Sequence, residues 1–311
     1  MQRSEGYAIL ASVLLMLAPI SSARASHGSV TVHVPGYTYS PFVTTSVFGV
    51  ADLELDPAGN LYLCESGNIQ RVTPEAAISP WSTATASDIV FTSTGAAYGA
   101  GRAHCHCIVS ISSSGAHSPL HSDAFEWTYV TLGIDGTLYA SVWAGSGQGL
   151  YAIDRVTGTP TVLVNGGPEL GGSGIYSNMV VGVDGKLYTG GGGGTGGWAV
   201  FRLDGTQFTA VGTAPHSGGA LAQDNEGILY VAGGFEGPTG SFFHEVWMID
   251  LGTGISTLLA SGPHLTTGIA YDRARDRLYV GLSYGEVYII TKTGAVPTRR
   301  ATWGEVKQQF R

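Results

Sequence analysis

An all-β, six-bladed β-propeller of four-stranded antiparallel blades is the fold that this sequence predicts, on three observations. A phrase of the form apolar run, Asp-x-x-Gly turn, Leu-Tyr recurs six times, the second copy degenerate. Its tyrosines, Tyr62, Tyr98, Tyr139, Tyr188, Tyr230 and Tyr279, stand 36, 41, 49, 42 and 49 residues apart. Each copy is followed by further strand-like runs. A period of roughly 40 to 50 residues built from strands is that of propeller blades and not of a helical solenoid.

The elements follow in order. Asp-Gly or Asp-x-x-Gly between two apolar runs supplies the φ > 0 residue that a tight hairpin needs, so each phrase is an inner strand turning into a second strand. Third strands are expected at Ile69–Thr73, Ile108–Ser112, Leu150–Asp154, Val200–Leu203, Val246–Ile249 and Val287–Thr291, and outer strands most clearly at Thr161–Val164 and Ser256–Ala260. A single such sheet cannot bury both faces, so the blades must pack radially, and residues 50–298 form one ring. A jelly roll or a β-helix is the other all-β arrangement, but neither predicts a hairpin phrase at this spacing.

The ends read differently. Arg3 precedes an apolar stretch, Tyr7–Ile20, which closes on small residues and Ala23-Arg-Ala25, the pattern of a cleaved secretory signal over residues 1–25. Residues 26–49 are expected to close the ring, with alternating Val30–Val34 as the closing strand and Gly36–Pro41 as a loop. In the tail, 299–311, Thr302-Trp-Gly-Glu305 resembles a capping box and Trp303, Val306 and Phe310 share a helical face, so a short C-terminal helix or an unstructured tail is expected.

Composition bounds the partners. The net charge of −8 becomes −9 once Arg3, Glu5 and Arg24 leave with the leader, and Lys186, Lys292 and Lys307 are the only lysines. An acidic, lysine-poor surface argues against nucleic acid and against anionic membranes after signal cleavage. A secreted or periplasmic monomer is the expectation. The Gly-x-Gly strings of Gly190–Gly197 precede no helix, so no nucleotide or organic cofactor is expected.

In a four-stranded blade, the loops that open the inner strand and those that join strands two and three share one face of the disc. Asp52, Asp88 and Asn178 open inner strands of different blades, and short oxygen-bearing side chains converging on the axis are what Ca²⁺ or another divalent cation needs. The alternative is that they cap turns or line a wet channel. The second-to-third-strand loops add Glu65, His104, His106, Trp143, Phe235, Glu236 and His244 as candidate ligand contacts. With three cysteines in an exported chain, one disulfide is expected, between Cys64 and either Cys105 or Cys107 at matched ends of adjacent blades.

The segment Tyr176-Ser-Asn178-Met-Val-Val-Gly-Val-Asp184-Gly185 resembles the Asn-Gly-Leu-Ala, then Asp-Gly segment of the SMP-30/gluconolactonase-like propellers, and the hairpin phrase resembles NHL-type and streptogramin-lyase-like propellers across about 240 residues. The resemblance implies a calcium-dependent hydrolase whose axial metal is held by Glu, Asn and Asp. Two departures count against a lactonase. Asp52 stands where the family has Glu, and Ser217-Gly218-Gly219 stands where it has the late-blade Asp that acts as base. Pro215-His216 is similar to the Pro-His segments of streptogramin lyases, which makes His216 the one catalytic candidate. The expected function is therefore binding of a small molecule, glycan or peptide on the loop-rich face beside an axial cation. A metal-dependent hydrolase, lactonase or lyase and a protein-interaction scaffold are the alternatives.

Overall fold

A computed structural model of the chain describes residues 29–45, 50–65, 67–101, 105–142, 147–166, 177–193, 197–214, 218–236 and 242–293. The expected signal (1–25) and the expected C-terminal helix or tail (299–311) lie outside the described residues. No helix occurs among the described residues. Six antiparallel sheets do, in the predicted order.

Blade one is β3 (Asp52–Leu55), β4 (Leu61–Glu65), β5 (Asn68–Val72) and β6 (Ile78–Ser82), and blade two is β7 (Asp88–Phe91), β8 (Ala97–Gly101), β9 (Cys107–Ile111) and β10 (His117–Ser122). Blade three comprises β11 (Trp127–Leu132), β12 (Leu138–Val142), β13 (Gly149–Ile153) and β14 (Pro160–Asn165). Blade four comprises β15 (Met179–Val181), β16 (Leu187–Gly193), β17 (Gly197–Asp204) and β18 (Gln207–Ala214). Blade five runs β19 (Gly218–Gln223), β20 (Leu229–Glu236), β21 (Phe242–Ile249) and β22 (Ser256–Pro263). Blade six takes β23 (Thr266–Asp272), β24 (Arg277–Leu282) and β25 (Glu286–Lys292) from the C-terminal end.

Its fourth strand is β2 (Tyr37–Thr44), paired with β25 so that Thr38 lies opposite Thr291. The expected closing strand, Val30–Val34, does not close the ring. A two-residue strand, β1 (Thr31–Val32), adds to the outer edge of blade five against β22. The expected Gly36–Pro41 loop is, from Tyr37 on, the first half of this strand. On an outermost strand, however, the missing proline N–H is harmless, and the register shift between Pro41 and Val43 absorbs its ring.

Alternation along the strands sorts the core into seams between blades. Tyr62, Cys64 and Ile69 pack with Ile89, Cys107 and Val109 of blade two, whereas Leu53, Leu61 and Leu63 of the same blade pack with Ala270, Tyr279 and Val287 of blade six. Four further clusters fill the remaining seams in the same way.

The repeat phrase acts as a lock. In blade five, Asp224 Oδ1 accepts the Glu226 and Ile228 amides, each at 2.9 Å, while Oδ2 accepts the Tyr230 hydroxyl at 3.1 Å. Asp56 does the same with Ala58, Asn60 and Tyr62, and Asp184 with Lys186 and Tyr188. The turn glycines sit at positive φ, +80° at Gly59 and +87° at Gly227, where a Cβ would strain the backbone. One aspartate thus ties the turn to the second strand.

The cysteines correct the expected pairing. The disulfide joins Cys105 to Cys107, with Cα atoms 5.0 Å apart, and Cys64 remains a free, buried thiol. All three belong to the blade-one/blade-two seam. Alternation puts the side chains of residues two apart on one side, and His106 between them adopts φ +45° and curls the chain, so the local partner wins over the inter-blade one.

Two outcomes are expected. Asp224→Ala leaves the buried Tyr230 hydroxyl and two turn amides without their acceptor and should destabilise by about 2–4 kcal/mol in chemical denaturation; at the exposed turn of Asp135 the same change should cost under about 1 kcal/mol. Without reductant, iodoacetamide should label no cysteine in native protein and only Cys64 in denatured protein. Peptide mapping that links Cys64 to either neighbour would overturn the pairing.

Candidate functional site

The inner strands start at the end of the ring where the second-to-third-strand connections emerge. The 166–178 crossover into blade four, the longest connection between strands, starts and ends there, as do 102–106, 143–148 and 237–241. Near that end the register marks one equivalent position per blade. Asp52 lies opposite Cys64, Asp88 opposite Ala100, Tyr129 opposite Ser141, Ala220 opposite Ala232 and Gly268 opposite Gly281, and Asn178 immediately precedes the Met179–Thr189 pair.

Side chains at this position reach the next blade. Asp88 Oδ2 accepts the Val130 amide of blade three at 2.5 Å. Asn178 Oδ1 accepts the Leu221 amide of blade five at 2.6 Å, and its Nδ2 donates to the Leu221 carbonyl at 3.4 Å. At Gly268 a Cβ would stand 2.6 Å from the Leu53 nitrogen, so blade six can meet blade one only with glycine there.

Asp52 and Asp88 are 4 % and 2 % exposed and hydrogen-bond to each other. Burial pushes the Asp52 carboxyl up from 3.8 to about 6. Asp88 is pushed well above the ordinary range by burial first and then by the charge of Asp52. The pair therefore shares a proton, held on Asp88 and donated to Asp52. Asn178 does not join it, because its amide is bound to Leu221.

Two further acids belong to this end of blade one. Glu54 follows Asp52 by two residues and so shares its strand face; burial and then repulsion from Asp52 push its carboxyl well up. The spacing could have revealed Glu54, but an interior strand position reads as core. Glu65 is 2 % exposed, and neither of its oxygens has a partner among the described residues. All four acids act on the Cys64 thiol, which burial and their charge raise well above its usual range, so it stays protonated and unreactive.

The other expected contacts divide. His106 is exposed beside the disulfide on the loop-rich face. His104, Trp143 and His216 lie outside the described residues, and the backbones of Phe235 and Glu236 pair with Phe243 and Phe242 at the end of blade five.

His244, expected to face a ligand, is instead fully buried. Its Nδ1 faces the Pro263 and His264 carbonyls at 2.9 and 3.2 Å, so the ring proton sits there, and Nε2 accepts the Tyr288 hydroxyl at 2.9 Å. Burial lowers its pKa and keeps it neutral. Alternation along β21 turns it into the seam between blades five and six.

The residues present match the cation set of the resembled propellers only in part. Carboxylates are at hand, but Asp52 and Asp88 bond to each other, Asn178 is engaged, and glycines stand at 218 and 219. Among the described residues no group of three His, Cys, Asp or Glu side chains is arranged to hold a metal ion.

No protein-family model matches the chain, and no curated protein matches it. Solved structures do match across most of its length. A provisionally assigned gluconolactonase shares 14 % identity over 84 % of this chain and 93 % of its own, with a TM-score of 0.63. A gluconolactonase from Xanthomonas campestris shares 10 % identity over 86 % of this chain and 95 % of its own, at 0.62. An auxiliary nutrient binding protein from Bacteroides thetaiotaomicron shares 13 % identity over 85 % of this chain and 76 % of its own, at 0.60. At these identities the likeness is one of fold: the chain is a six-bladed β-propeller built like gluconolactonase-like and nutrient-binding propellers.

Proposed function

We propose that this protein is an exported propeller that binds a small molecule, glycan or peptide on its loop-rich face. The observation that carries the reading is the buried, proton-sharing Asp52–Asp88 pair at the end of the ring where the second-to-third-strand connections emerge. Carboxyls displaced from their ordinary range at a loop-bearing end support a site there, beside their role in joining neighbouring blades. The nutrient-binding and gluconolactonase neighbours of like fold support a small-molecule or sugar ligand. His106, Trp143, Phe235 and Glu236 are the side chains proposed to contact it.

A second reading, a cation-dependent lactonase-type hydrolase, draws on Glu65, whose buried carboxylate has no partner among the described residues. Asp52, Asp88 and Glu65 would hold the ion, which would supply Lewis-acid polarisation of a substrate carbonyl. The partial match of the ligand set makes binding the better-supported reading.

Two measurements separate the readings. A thermal-shift panel of sugars, aldonolactones and short peptides should find one class that raises the melting temperature, with the shift lost in Trp143→Ala and His106→Ala. A panel without effect would overturn ligand binding at this face, and lactone turnover that needs added Ca²⁺ would establish the second reading.

The carboxyl pair also predicts a pH dependence. The folded state keeps a proton on Asp52 that the unfolded chain loses near pH 4, so this group's contribution falls as pH rises from about 4 through about 6 and is level above that. Asp52→Asn should flatten that part of the stability profile. Under the second reading, Ca²⁺ at pH 7.5 should restore the wild-type loss by mass action.

A further inference from the structure

The end of the ring opposite the loop-rich face is built from short hairpin turns, and two neighbouring turns present aliphatic side chains to solvent. Ile134, at the tip of the blade-three turn, is 82 % exposed, and Val183, at the tip of the blade-four turn, is 50 % exposed. A Cβ on Gly185 would stand 2.8 Å from Ile134 Cδ1, so Ile134 leans onto the turn that carries Val183. A Cβ on Gly227 would stand 3.6 Å from Val183 Cγ2, so Val183 leans in turn onto blade five. The two form one aliphatic ridge across three blades, unlike apolar residues scattered singly over a surface. We propose that residues 303–310 of this chain dock on that ridge as a helix, with Trp303, Val306 and Phe310 against it.

Chain direction brings this segment to the right end. β25 starts at the loop-rich end and finishes at the turn end, where the Thr293 amide donates to the Gly36 carbonyl at 2.6 Å. Residues 294–311 follow from there. The segment before Ser29 leaves from the opposite end, because Thr31 pairs with Ser261 near the close of β22. Lys292 already reaches blade five, donating to Glu226 at 3.0 Å and to Asp224 at 3.4 Å, on the turn that Val183 touches. Extended, residues 294–302 span up to about 30 Å, several times the reach of the Lys292 side chain to that turn.

Charge selects the same occupant. Residues 294–311 carry Arg299, Arg300, Lys307 and Arg311 against Glu305, a net +3 in a chain of −8, so the residues before them carry −11. Asp135 and Asp184 are exposed beside the ridge, and Glu226 is exposed on the next turn. Arg273 is exposed on the blade-six turn and Arg275 covers the blade-one turn, so a basic segment is drawn to blades three to five. A second copy of the ring would bring the same acidic face and be repelled. A tethered segment needs little intrinsic affinity, since its local concentration is of millimolar order. The ridge lies opposite the loop-rich face, so this proposal and ligand binding there can each fail alone.

Hydrogen exchange of the whole chain tests the docking, with a synthetic peptide of residues 294–311 as the unprotected reference. Amides of 303–310 should exchange about tenfold or more slowly in the protein than in the peptide. Ile134→Ser combined with Val183→Ser, both on exposed turn tips, should return them to within about twofold of the peptide rate while the ring keeps its melting temperature. Trp303→Ser should do the same from the tail side and leaves the ring untouched. Wild-type exchange at the peptide rate, protection that survives the ridge variant, or protection that rises with protein concentration, the mark of a second copy, would each overturn the assignment.

Discussion

Ring closure rests on one pairing. Five seams join blades adjacent in sequence, whereas blade six is complete only when β2 from the start of the ring aligns with β25 at its end, Thr38 opposite Thr291. Without that strand the outer edge of blade six is open, and the seam that buries Leu53, Leu61 and Leu63 against Tyr279 and Val287 loses the sheet behind it. Other features of the same seam serve closure too. Gly268 lets the two backbones meet near the loop-rich end, and Arg275, tied to Asp272, covers Gly59 at the turn end.

The strands were legible because their turn chemistry is local. Asp-x-x-Gly requires a positive φ and offers an acceptor to the turn amides, so a few residues announce a hairpin without knowledge of the rest. The six tyrosines occupy matching second-strand places for the same reason. Features that depend on distant chain were not legible. Tyr37–Thr44 becomes a strand only because β25 is there to receive it, and His244 is buried only because blade six covers it. The cysteine pairing depended on the backbone of one residue, His106, leaving the extended region.

The candidate site shows the same division. Alternation placed Asp52 and Asp88 at strand starts, yet their contact with each other depends on how closely neighbouring blades approach. Asn178, at the equivalent place, meets a backbone amide instead of an acid and becomes a staple. Position in the repeat therefore sets where a side chain points, and the neighbouring blade sets what it does there. That is why one repeat position can serve as acid, staple or glycine contact around a single ring.

Pro41 has a consequence during synthesis. Residues 37–44 leave the ribosome early, and their partner, 286–292, leaves some 250 residues later. At about 5–20 residues per second the wait is roughly tens of seconds. Throughout it the nascent chain carries an eight-residue segment with strand-forming side chains and no mate. A proline and a bulge in its middle make that segment a poor template for pairing with another chain. The irregularity that hid this strand from inspection of the sequence thus guards the chain against polymerising before its last blade exists.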